Sequence, residues 1–376
     1  MSTARNGLHI VEFAAGTLRF LDAVPEQAPA DGFVWIYLDR DSLAGELPQV
    51  QQAAQRLGGS ALLDLHVQDL ENRAHPSHYD FTSIYDLVVF RRLATEEEVD
   101  LELNLAAPVP QAPDATLPSF QRIRTRAVGF AVFDRLLITV HPGGCYAARA
   151  FLNRYLADAV QAEGIATPAR SRVPASPSDL MLRMVNVMVD SYLELRKRLA
   201  REMDAWQHEL LRPRAGNANW NALLVARSEL HKLEDLCEEQ NDAMQEWLDT
   251  AREQPPPALA QAERDAMLAR ARDVVEHVQR VAHHVRRMEQ GAETAVQIHF
   301  SAQSHRTNEI MRLLTALTAV FLPLNFITGF FGMNFEFLPL IHSARAMWGI
   351  LTAMLMVAVV VLAVFWRKRY LARTGR

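Results

Sequence analysis

Two uncharged stretches near the C-terminus constrain this chain more than any other feature. Residues 313–335 contain no charged side chain over 23 positions, and residues 346–366 none over 21 more. As helices, each is long enough to cross the hydrocarbon core of a bilayer, which takes about 20 residues. A membrane hairpin is therefore expected at the end of a chain whose first three hundred residues have ordinary globular composition. With 22% charged and 49% hydrophobic residues, disorder and low complexity are excluded.

Charge orients the hairpin. Arg367, Lys368, Arg369, Arg373 and Arg376 follow the second stretch, whereas residues 334–345 carry only Glu336 and Arg345. The positive-inside bias then places both termini in the cytoplasm of a multi-pass protein of the cell (inner) membrane. The start, MSTARNGLHIVEF, lacks the apolar core of a signal peptide, which agrees with a cytoplasmic N-terminal domain. Removing the five basic tail charges from a net charge of −5 leaves about −10 on the rest, the wrong sign for a nucleic-acid binder. Cys145 and Cys237 have neither metal-ligand nor C-x-x-C spacing and read as buried packing residues. No phosphate loop, H-E-x-x-H, G-x-S-x-G or dinucleotide fingerprint is present, so no enzyme or cofactor is indicated.

Apolar runs at 8–13, 33–38, 82–93, 127–133 and 136–140 read as strands of one sheet, with helical patterns at 43–56, 61–71 and 147–163 between them. Residues 1–165 are thus expected to form an α/β domain of α/β/α type, with a Pro-rich loop at 107–118. Ser176-Pro177-Ser178-Asp179 then supplies a helix cap, a first-turn proline and an acid. Met181, Val185, Met188, Tyr192, Leu195 and Leu199 follow it at alternating four and three, the seam of a lengthwise helix contact. A second helical pattern runs from Trp220 to about Arg252. A third starts near Pro257 and continues to Phe331, where 75 helical residues would extend about 110 Å. Residues 176–310 are expected to be stalk helices, 311–332 the first span, 333–345 the external loop, 346–366 the second span and 367–376 a basic tail. The fold class is an α+β membrane protein.

The first span is not a plain anchor. Asn308, Met311, Thr315, Thr318, Leu322, Asn325 and Gly329 follow a three-four alternation, so a polar stripe runs along one side, whereas the second span has Thr352 as its only hydroxyl and no amide. An amide at membrane depth faces protein or water. Threonines bonded to their own helix, and an asparagine joining two helices, would give the same pattern. If the stripe lines water, two helices cannot enclose it, and several copies must surround a closed symmetry axis. Pro323 is expected to loosen this inner helix.

The run from Asn308-Glu309-Ile310-Met311 through Phe321-Leu322-Pro323-Leu324-Asn325 to Gly332-Met333-Asn334-Phe335-Glu336 resembles the pore helix and GMN signature of the CorA family of magnesium transporters. The resemblance is strong over roughly the last hundred residues, and the rest matches in layout. It implies a funnel-shaped homopentamer in membrane lipid, with first spans lining the pathway, and potential-driven influx of Mg²⁺, with Co²⁺ and Ni²⁺ as further cargo. It also implies a mouth at Gly332, Met333, Asn334 and Glu336, and pore-lining roles for Asn308, Met311, Leu314, Thr318, Leu322 and Asn325. Asp273 matches a family aspartate of a regulatory divalent site between subunits, where internal Mg²⁺ would hold a closed state. The histidines of the third helix, His277, His283, His284, His299 and His305, share no i, i+4 pair and read as solvated or interhelical.

Three positions depart from the family pattern. Leu340 stands where a second acid is common, Asn325 where threonine is frequent, and Phe331 where tyrosine is usual. The alternative within the wider group is a proton-coupled zinc transporter of the ZntB branch, from which Met333 points away. Outside it, the alternative is a membrane-anchored sensor or scaffold.

Overall fold

The computed structural model describes residues 7–14, 17–105, 117–153, 173–210, 220–254, 259–333 and 344–367. The chain forms two compact units, Met1–Glu293 and Thr294–Arg376.

The first unit is built on a mixed sheet of seven strands: β1 (Leu8–Ala14), β2 (Thr17–Leu21), β3 (Gly32–Asp39), β4 (His78–Phe81), β5 (Tyr85–Leu93), β6 (Thr125–Phe133) and β7 (Leu136–His141). Their order is β2-β1-β3-β7-β6-β5-β4. Only β3 and β7 run parallel, with Ile36 beside Ile138, and the other pairs are antiparallel. The central strands are apolar on both sides because both faces are covered. Val34, Ile36 and Leu38 of β3 join Leu87, Ile138 and Val140 in one core with Leu43, Val50, Val67 and Leu70. Those last four belong to α1 (Arg40–Ala53) and α2 (Asp64–Glu71). Phe33, Trp35 and Tyr37 alternate onto the other face and are also buried. Gly129 on β6 marks a close approach of sheet and helix, since a Cβ there would lie 2.1 Å from Leu70 Cδ2.

Across the second face run α6 (Pro177–Leu210) and α7 (Trp220–Glu253), which contact β5 together with β6 and β7, and β4, respectively. All six residues of the α6 seam are buried, at 0–5% exposure, as their spacing requires. The cap of α6 also forms as read. The Asp179 N–H donates to Ser176 Oγ at 3.1 Å, and the Asp179 carboxylate accepts the Ala175 N–H at 3.2 Å. Asp179 also pairs with Arg183 one turn on, and at 2.9 Å with Arg270 of α8 (Gln261–Phe331). This is the α/β/α arrangement expected from the sequence. Both cysteines are buried, and burial pushes the Cys237 thiol up to about 12.

Several local expectations need correction. The edge strands β2 and β4 were not foreseen, nor was α3 (Glu96–Leu105). Pro118, assigned to a loop, opens the short helix α4 (Pro118–Gln121) instead, because proline suits a first helical turn. The helix expected at 147–163 is seen as α5 over residues 146–153, and its remainder lies outside the described residues, as do 107–116.

The second unit contains the continuation of α8 and the helix α9 (Ala344–Arg367). Helix α8 is unbroken for 71 residues and stays helical through Pro323. It contains an 18-residue window apolar enough to cross a membrane, as do residues Trp348–Phe365 of α9.

Candidate ion pathway

Covered and open faces of α8 separate cleanly in the second unit. Ala316 is buried, and Ala319, Val320, Pro323, Leu324, Ile327 and Phe331 are half-buried. At about 100° per residue these fall on one side of the helix. The other described helix of this unit, α9, carries a matching half-covered stripe at Ile350, Met354, Val357, Val361 and Phe365.

The residues singled out from sequence lie on the far side. Met311, Leu314, Thr318, Leu322 and Asn325 fall within an arc of about 80°, centred roughly opposite the Ala316–Ile327 stripe. All five are exposed in the single chain, Met311 at 60%, Leu314 at 62% and Leu322 at 68%. Asn308 is exposed as well but sits about 40° beyond the edge of that arc. A membrane helix with one face held within its own chain and an alternating amide, hydroxyl and apolar face left open has that face free for other copies or for water.

The threonines have a definite donor state. Thr315 Oγ1 donates to the Met311 carbonyl at 2.7 Å, Thr318 to Leu314 at 2.9 Å and Thr328 to Leu324 at 3.1 Å. The back-bonding alternative left open by the sequence is therefore realised in all three. It does not stop Thr318 from facing water. With its proton committed to the backbone, its oxygen presents only lone pairs outward, the polarity needed to accept hydrogen bonds from waters around a cation.

The end of α8 explains the first letter of the GMN motif. The Gly332 N–H closes the last turn on the Thr328 carbonyl at 2.9 Å, and the Met333 N–H approaches Phe330 O at 3.5 Å. A Cβ on Gly332 would stand 2.9 Å from that same Thr328 oxygen, closer than side chains tolerate. Glycine is thus required for the chain to leave the helix as it does. The motif was visible in the sequence, but this reason was not. Met333 is exposed, whereas Asn334, Glu336 and Leu340 lie outside the described residues.

Asp273, in the first unit, is half exposed and faces His277 Nε2 at 3.5 Å, one helical turn on. Among the described residues no group of three or more His, Cys, Asp or Glu is placed to hold a metal ion, so neither Asp273 nor the helix histidines form a preassembled site within one chain.

A family model described as CorA-like Mg²⁺ transporter protein matches residues 30–369, nearly the whole chain. The chain belongs to this CorA-like family. The family is one of transporters, not enzymes. Among curated CorA proteins, the "cobalt/magnesium transport protein CorA" of Thermotoga maritima is 29% identical over 199 residues, or 51% of this chain. That alignment spans about half of the relative's length, 52%. The protein of the same name from Methanocaldococcus jannaschii is 31% identical over 74 residues, covering 20% of this chain and 23% of its own. The fold agrees along the chain's length. The complete structure of the CorA magnesium transporter from M. jannaschii superposes with a TM-score of 0.68 at 17% identity, covering 98% of both chains. The full-length CmaX protein gives 0.54 at 17% identity, covering 96% and 97%.

Proposed function

We propose that this chain transports divalent metal cations across the cell membrane as a ring of identical subunits, with no cofactor beyond the ions themselves: Mg²⁺ enters along the open faces of α8, with Co²⁺ and Ni²⁺ as further cargo. The observation that carries this reading is the placement of Thr318, Leu322 and Asn325 on the face of α8 opposite its covered stripe, leading to Gly332 and Met333. The printed names of the relatives, which mention magnesium and cobalt, support the choice of ion.

The chemistry fits a hydrated ion. Mg²⁺ gives up its water reluctantly. Neutral amides at Asn325 and Asn334 and the acceptor oxygen of Thr318 can hold those waters without binding the ion too tightly to release it. Met311, Leu314 and Leu322 offer no oxygen, and rings of them would gate by narrowing and dewetting. A membrane potential of about 100 mV supplies roughly 4.6 kcal/mol for two charges, enough for inward flux without nucleotide. Five copies, both termini in the cytoplasm and Glu336 near the outer mouth complete the proposal. Asp273 would bridge neighbouring subunits through internal Mg²⁺ and favour the closed state.

Proteoliposomes holding the purified chain test both parts. Mg²⁺ influx is expected in the wild type and is expected to vanish in Asn334→Ala. Asp273→Lys should conduct with weaker inhibition by internal Mg²⁺. Equal influx in Asn334→Ala would remove the mouth assignment, and unchanged inhibition in Asp273→Lys the regulatory one.

A further inference from the structure

The first unit encloses a polar cavity of about 530 Å³ that the ion pathway does not use. The β4–β5 and β6–β7 turns, the N-terminus of α6, the last turns of α7 and the first turn of α8 converge on it. Asp86 of β5 stands in its wall. One carboxylate oxygen accepts the Trp247 indole N–H at 3.1 Å, and the other accepts the Tyr79 hydroxyl at 3.4 Å. Tyr79 and Trp247 are themselves buried, so β4, β5 and α7 are joined through this one carboxylate.

The charged groups around it offer little compensation. Asp134 and Arg135 lie on the β6–β7 turn, Asp31 precedes β3, Glu263 comes from α8, and Glu246 of α7 lies near Tyr79. Acids outnumber the one base, and among the described residues no ion pair involves Asp86. Burial, with a further push from Asp134 and against the two donors, raises its carboxyl to about 6.

We propose that Asp86 is a proton-operated latch between the β4–β5 hairpin and the C-terminal turns of α7. When ionised, it has two neutral donors, one of them long, and draws water from the cavity to complete its solvation, which weakens the hold of the hairpin on the helix. When protonated, it no longer needs that water, and the two elements hold each other more tightly. The direction follows from linkage. The folded carboxyl titrates near 6 and its ordinary value is 3.8, so the native state binds the proton more tightly. The added stability is complete below the ordinary value and is lost as pH rises through about 6.

Hydrogen exchange on the full chain in lipid nanodiscs, corrected for the intrinsic pH dependence of exchange, reads this directly at residues 244–253. Protection there is expected to rise about tenfold between pH 7.5 and 5, the change that one pKa unit of linkage allows. Asp86→Asn keeps the shape and an acceptor for Trp247, and should be protected equally at both pH values. Asp134→Asn should move the wild-type transition to lower pH. A wild type without pH dependence, an Asp86→Asn protein with the same pH response, or an unmoved transition in Asp134→Asn would each overturn the latch.

Discussion

Gly332→Val is expected to reduce Mg²⁺ influx into proteoliposomes by about ten- to a hundredfold, while leaving the thermal unfolding of the first unit unchanged. The cause is local. A Cβ at position 332 would stand 2.9 Å from the Thr328 carbonyl oxygen, which already receives the Gly332 N–H. A branched side chain cannot be accommodated unless the last turn of α8 opens, and overpacking of this kind costs about 1–3 kcal/mol. That turn sets the direction in which Met333 leaves the helix, so the proposed mouth would be displaced rather than merely enlarged. Gly332→Ala should show the same loss to a smaller degree. Wild-type influx in the valine variant would show that the mouth does not depend on this turn.

The second large effect is on stability. Asp179 is 12% exposed and pairs with Arg183 of its own helix and with Arg270 of α8, while its carboxylate also accepts the Ala175 N–H. In Asp179→Ala both guanidinium groups lose this carboxylate and the Ala175 N–H loses its acceptor. Removing one member of a largely buried charge cluster costs about 3–5 kcal/mol, mostly through the charges left behind. Arg270 is 35% exposed and recovers some hydration, which puts the expected loss near the lower end, about 3 kcal/mol. A drop of several degrees in thermal midpoint checks it. Asp179→Asn, which keeps the cap acceptor, should fall between the two. An unchanged midpoint in Asp179→Ala would mean that these arginines are solvated as well without it.

How far the sequence alone reaches depends on where each element finds its stabilisation. The two spans, the α6 seam and the cap at Ser176 were legible because one stretch of chain holds the whole pattern, whether an uncharged run or a three-four alternation. Strands β3, β6 and β7 were legible because burial on both faces makes them continuous apolar runs. Strands β2 and β4 were not, because edge strands are short and face solvent. Helix α3 was hidden for a different reason. A capping box marks its start, with the Glu98 N–H donating to Thr95 Oγ1 at 3.3 Å and the Thr95 N–H to the Glu98 carboxylate at 2.7 Å, but residues 99–105 alternate apolar and polar with the period of a strand, and the acids of the helix pair with Arg92, Arg122 and Arg198 on other elements. Asp86 shows the same limit at a single residue. It looks like any strand aspartate until Trp247, 161 positions away, closes over it. On the pathway, the polar stripe was readable from periodicity. That it lies opposite the covered side of α8 was not, since the small residues Ala316 and Ala319 that mark the covered side carry no distinctive sequence signal.

Thiol labelling along α8 tests the central claim most directly. Cysteine would be placed singly by Thr318→Cys, Leu322→Cys and Asn325→Cys on the open face, and by Val320→Cys and Ile327→Cys on the covered one, in a chain with Cys145 and Cys237 replaced. A membrane-impermeant, water-soluble reagent is expected to react at 318, 322 and 325, more slowly when Mg²⁺ is present, and to leave 320 and 327 unmodified. Reaction at neither face, or equally at both, would contradict a water-filled path along this side of the helix.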